Sequence, residues 1–256
     1  MEELDPDLLE AVQAHKEGRC DDVLRCLQAV TGRVLTSAEV AKRNGFMTMF
    51  QWSLLTEAYA PARDALARMR DEQAARVLVG DFITESAAFG VPGSRFHLVV
   101  RLDEMLGDAR ATAALFARLE ALAPEQARRD ARAALPALVQ AGDFTRAERY
   151  LPRDPLNRLD ELNALALNLP LFPPDRSAPR LTAELSNFVK DVRLCADTWE
   201  GLGRHAEAHA LRAAALAGLA QDEMRTLAMR ELAEPGAITS AITAHQMAQD
   251  EAAGAA

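Results

Sequence analysis

Four short segments of this 256-residue chain repeat one pattern: Gly18-Arg-Cys-Asp-Asp-Val23, Gly107-Asp-Ala-Arg-Ala-Thr112, Gly142-Asp-Phe-Thr-Arg-Ala147 and Gly203-Arg-His-Ala-Glu-Ala208. In each, a helical pattern ends at glycine and a charged residue follows. Five positions after the glycine comes a small or β-branched residue inside a new helical pattern. Glycine ends a helix in the left-handed conformation at little steric cost. A chain that repeats helix, glycine turn, helix is the pattern of a helical repeat array, in which each hairpin buries its apolar face only against its neighbours.

Composition narrows what such an array can do. Aromatic residues are only 5% of the chain, so small apolar residues must fill the helix contacts. Only three of the 29 basic residues are Lys (Lys16, Lys42, Lys190); the Arg and Ala bias reads as a GC-rich bacterial genome. The formal charge of −9 argues against general nucleic-acid binding and against anionic membrane surfaces. No apolar run approaches the roughly 20 residues of a membrane span. The start, MEELDPDLLE, shows no basic-then-apolar leader, which makes the cytoplasm the expected location. Three cysteines without a CxxC spacing point away from a disulfide framework and from a zinc site.

Punctuation divides the chain into helical hairpins over 1–79, an irregular connector at 80–93 and central helices over 94–169. A Pro-rich loop at 170–179, a C-terminal helical repeat with capping helices over 180–249 and a frayed tail at 250–256 complete one continuous array. A short helix is expected within 31–44, then a separate one through Trp52 that stops before Pro61. Pro136 should kink or split its helix. The longest helix, about 179–202, carries Leu181, Leu185, Phe188, Val192, Cys195, Trp199 and Leu202 at alternating spacings of four and three. That stripe serves a neighbouring helix or a partner, and Phe46–Trp52 and Phe172 are further apolar contact candidates.

The glycine-anchored hairpins resemble tetratricopeptide repeats. Around Gly203, Val192, Cys195, Ala196 and Trp199 fill the first-helix places, and Ala208 and Ala215 the second-helix places. Arg212 departs from the usual large apolar residue. Around Gly107 stand Phe96, Val99, Phe116, Leu119 and a closing Pro124, with Asp103 in place of an aromatic. Gly142 keeps Ala147 and Leu151, and Gly18 keeps Ala11, Ala14, Val23 and Leu27. The resemblance, mainly over 94–219, implies an all-α, right-handed α-solenoid of antiparallel helix pairs with a concave groove that binds peptides.

On that alignment the groove face carries Ser94, His97 and Arg101, then Arg129 and Arg132, then Lys190 and Arg193. A basic groove on an acidic protein would attract a protein or acidic peptide. The alternative is a solvated face whose charges pair with Glu104, Asp130, Asp191 and Glu200. His205 and His209 share a helix face, yet Glu207 is misplaced for a His-Glu-x-x-His zinc motif. No phosphate-binding glycine loop occurs, and no nucleophile arrangement is evident among the cysteines. The sequence therefore leads to a non-catalytic scaffold or adaptor without cofactor or metal. Its rivals are a dedicated inhibitor, immunity protein or chaperone covering one basic effector, and an enzyme or metal-binding protein using His97 or His205 and His209.

Overall fold

The computed structural model describes residues 4–84, 93–174 and 177–254. They form thirteen helices and no β-sheet, the single isolated bridge joining Ile83 to Ser94. Among the described residues, no helix is long and apolar enough to cross a membrane. The chain divides into two compact units, Met1–Ala141 and Gly142–Ala256.

The first unit holds α1 (Pro6–Lys16), α2 (Cys20–Thr36), α3 (Ala38–Ala58), α4 (Ala60–Leu78), α5 (Arg95–Leu106), α6 (Ala109–Leu122) and α7 (Pro124–Gln140). Successive helices pack together, and α1, α3, α5 and α7 also meet next-but-one, as do α4 and α6. One core gathers Leu8, Val23, Leu27, Trp52, Leu66 and Leu98. Trp52 is fully buried, and its indole N–H donates to Thr31 Oγ1 at 2.9 Å, so the largest side chain leaves no polar group unmet. Phe96 and Phe116 pack with tilted rings, centroids 5.8 Å apart.

The second unit holds α8 (Phe144–Glu148), α9 (Leu159–Ala166), α10 (Arg180–Gly201), α11 (His205–Gly218), α12 (Asp222–Ala233) and α13 (Ala237–Gly254). Here α10 is central and touches each of the other five. The expected stripe explains this in part: Leu181, Leu185, Phe188, Val192 and Cys195 are buried. So are Thr182, Val189, Ala196 and Thr198, which widens the stripe into a face that several helices share.

All four hairpin glycines adopt left-handed φ, between 70° and 79°. At Gly107 the turn closes with the Gly107 N–H donating to the Glu104 carbonyl at 3.2 Å and the Asp108 N–H to the Asp103 carbonyl at 2.9 Å. Gly18 and Gly203 repeat that pair of bonds, which satisfies carbonyls the helix end would otherwise leave open. The fifth residue after each glycine, Val23, Thr112, Ala147 or Ala208, is buried. The charged residue between them works in two ways. Asp108 and Asp143 cap the next helix through the Ala111 and Arg146 N–H groups. Arg19 and Arg204 instead reach carboxylates, Glu17 at 2.7 Å and Glu148 at 2.6 Å.

Several boundaries differ from the sequence expectation. Between α2 and α3 the helix breaks only at Ser37, whose hydroxyl caps Val40, so 38–58 is a single helix. α7 runs through Pro136 without splitting, and that residue lies on the exposed side of the helix. α13 continues to Gly254, into the segment expected to fray. The connector at 80–93 lies inside the first unit, with α4 and α5 packed together across it. Its ends are paired by Thr84 N–H to the Gly93 carbonyl at 3.0 Å and Arg95 N–H to the Phe82 carbonyl at 2.8 Å. Residues 85–92, like 175–176 of the Pro-rich loop and 255–256 of the tail, lie outside the described residues.

Candidate functional site

The six sequence-derived contact residues occupy three helices. His97 and Arg101 lie on α5, Arg129 and Arg132 on α7, and Lys190 and Arg193 on α10 of the second unit. Their environments separate them into two groups, those turned to solvent and those holding helices together.

α7 shows why. Ala127, Asp130, Ala131, Ala134 and Leu138 recur at three- and four-residue spacing and form its buried face. Arg128, Arg129 and Arg132 stand away from that face and are exposed. Arg128 pairs with Glu125 on the same helix. Arg101 is exposed on α5 and pairs with Glu104, an i,i+3 contact worth little in water. Lys190 is exposed on α10.

His97 is turned inward. Its Nε2 is buried 3.2 Å from Asp130 Oδ1, a separation that permits ion pairing but is poorly aligned for a hydrogen bond. Asp130 is only 3% exposed. It accepts from Ser94 Oγ at 3.0 Å and from Gln126 Nε2 at 2.9 Å. Ser94 also caps α5 by accepting the His97 N–H at 3.2 Å. The trio has the residue types of a catalytic triad in the wrong order: the serine proton goes to the carboxylate, and the imidazole is not interposed. Its consequence is to fasten α7 to the start of α5. The solvated-face alternative pairs Asp130 with a surface arginine; its place among alanines at helical spacing is the signal that it faces inward.

Arg193 is likewise occupied within its unit. Nη1 is buried 3.8 Å from Glu231 Oε1 without a hydrogen bond. Glu231, 2% exposed, accepts the Gly236 N–H at 3.1 Å and the Ile238 N–H at 2.8 Å, so it caps α13 from the preceding helix. A carboxylate at a helix N-terminus meets free N–H groups and the positive end of the dipole.

Two polar clusters were not legible in the sequence. Arg70 of α4 pairs with buried Asp103 of α5, which also accepts Thr112 Oγ1 of α6 at 2.7 Å. Burial pushes the Asp103 carboxyl above the usual carboxylate range, against the pull of Thr112 and Arg70. This aspartate stands where a tetratricopeptide pattern would place an aromatic. Nearby, Arg95 is almost fully buried and donates to Gln73 Oε1, Asp81 Oδ1 at 3.0 Å and the Asp81 carbonyl at 2.9 Å. It ties the first turn of α5 to Gln73 of α4 and to Asp81 and Ile83 just beyond α4.

His205 and His209 are exposed on α11, where Glu207 pairs with Arg204 at its N-terminus. Among the described residues no three His, Cys, Asp or Glu side chains gather to hold a metal. Burial pushes the Cys195 thiol up to about 12, and raises that of Cys26 as well. Such thiols remain protonated and are poor nucleophiles. A hollow of about 270 Å³ beside Phe172 is open to solvent; on its wall His245 Nε2 and Gln249 Nε2 each lie 2.8 Å from the Pro173 carbonyl. Those contacts hold the Pro-rich loop to α13. No protein-family profile, curated protein or solved structure matches this chain.

Proposed function

We propose that this chain is a non-catalytic protein-binding scaffold, a cytoplasmic bacterial adaptor built as a tetratricopeptide-like right-handed solenoid, and that its first unit docks an acidic protein segment. The observation that carries the reading is the division of labour on α7. Asp130 turns inward to hold α5, while Arg129 and Arg132 stand on the exposed side of a protein whose formal charge is −9. A local reversal of sign concentrates an oppositely charged partner and speeds its encounter. Arg101 on α5 extends that surface, and Lys190 offers a separate contact on the second unit. His97 and Arg193 keep the frame that presents these groups. The next-but-one packing of α1, α3, α5 and α7 supports a stacked-hairpin arrangement.

Capture from bacterial lysate tests this, with the wild type compared against an Arg129→Glu/Arg132→Glu variant of unchanged helicity. The proposal expects a protein retained by the wild type and lost by the variant. Retention of the same proteins by both would contradict it.

A further inference from the structure

Phe46 and Phe50 lie one turn apart on α3 and stack with ring centroids 6.5 Å apart. Phe46 is 81% exposed and Phe50 46%. The opposite side of the same helix is fully committed to the core through Thr48, Gln51, Trp52 and Leu55. Single exposed apolar residues are ordinary; two stacked aromatics on a water-facing helix stripe are a contact surface.

The stripe has an internal symmetry that identifies its occupant. It reads Arg43, Phe46, Phe50, Leu54, Glu57, with Arg43 and Glu57 exposed and Leu54 half-buried. About Phe50, apolar residues stand four positions to either side and opposite charges seven positions to either side. Four and seven residues are one and two helical turns, so all five share a face. We propose that this face binds a second copy of the chain, with the two α3 helices antiparallel across a twofold axis at Phe50.

In that arrangement Phe50 meets Phe50 of the other copy, Phe46 meets Leu54, and Arg43 meets Glu57 twice over. An isologous interface demands this self-complementarity, since each contact must occur in both directions. Glu57 sits in the last turn of α3, where the helix dipole disfavours a negative charge. A guanidinium from the second copy offsets that. Arg43 pairs with Glu39 on its own helix, and a guanidinium, with five N–H donors, can contact more than one carboxylate at once. One helix face is smaller than the roughly 800 Å² per partner of a standard interface, which places this contact among the weak, dissociating ones. The surface is distinct from the α7 arginines and does not depend on them.

Sedimentation velocity of the full chain from about 1 µM to about 500 µM measures this directly. The wild type shifts from monomer to dimer across the series. Phe50→Ser weakens the dimer at least about tenfold, as removal of a central aromatic does. Arg43→Glu and Glu57→Arg each weaken it, and the double variant carrying both recovers most of the wild-type affinity. All three positions are solvent-facing, and circular dichroism confirms each fold. A chain that stays monomeric over the whole range overturns the proposal. So does a dimer indifferent to Phe50→Ser, or a charge-swapped pair that fails to recover.

Discussion

Asp5 shows how much one side chain holds at the start of the chain. Its carboxylate accepts the Asp7 N–H at 3.0 Å and caps α1, while Arg33 of α2 grips both oxygens, Nη2 at 2.6 Å and Nε at 2.9 Å. Its own N–H donates to Asn44 of α3 at 3.0 Å, so one residue joins three helices. The Arg33 guanidinium holds the Asp5 carboxyl below the usual carboxylate range, against the opposing effect of burial. A depressed folded value contributes stability that is fully present above the unfolded value, about 3.9, and is lost as pH falls through the folded one. Asp5→Asn should therefore cost about 1–2 kcal/mol at neutral pH, and that gap should close as pH falls below about 4. Urea titrations at pH 7 and pH 3 read both values; an equal gap at the two would refute the assignment.

At the scale of the element, glycine does two different jobs, and they predict different costs. Gly107 needs left-handed φ and has open space around an added Cβ. Gly107→Ala should cost about 1–2 kcal/mol, all of it backbone strain. Gly201 has ordinary helical backbone, yet a Cβ there would overlap the Phe144 ring where α8 lies against α10. Gly201→Ala should cost about 1–3 kcal/mol through overpacking, and trimming Phe144→Leu should recover part of it. The same trim should not rescue Gly107→Ala. Thermal melts of the three single variants and two doubles separate the mechanisms. The turn role was legible in the sequence because it depends on local conformation. The close-approach role was not, because it depends on which helix comes to rest there.

The same distinction runs through the whole molecule. The all-helical character and the hairpin glycines follow from local periodicity, so they are legible in the sequence. The extent of α3 was missed because a capping serine was the only break in that stretch. The candidate site was legible only where a residue ends up in water. Arg101, Arg129, Arg132 and Lys190 face solvent, whereas His97 meets Asp130 from thirty-three positions away and Arg193 meets Glu231 from thirty-eight. No local pattern announces such a partner. Asp103, out of place in a tetratricopeptide pattern, is met by Arg70 and Thr112 from other helices.

The basic groups of α7 on this acidic chain should take up an acidic partner. Fluorescence anisotropy of a labelled glutamate-rich peptide, titrated with the wild type and with Arg129→Glu/Arg132→Glu, tests it most directly. Binding should saturate and weaken at least about tenfold in the variant. It should also weaken when salt rises from about 50 mM to about 200 mM, because exposed charges are screened over that range. Equal affinity for both proteins, or binding insensitive to salt, would contradict it.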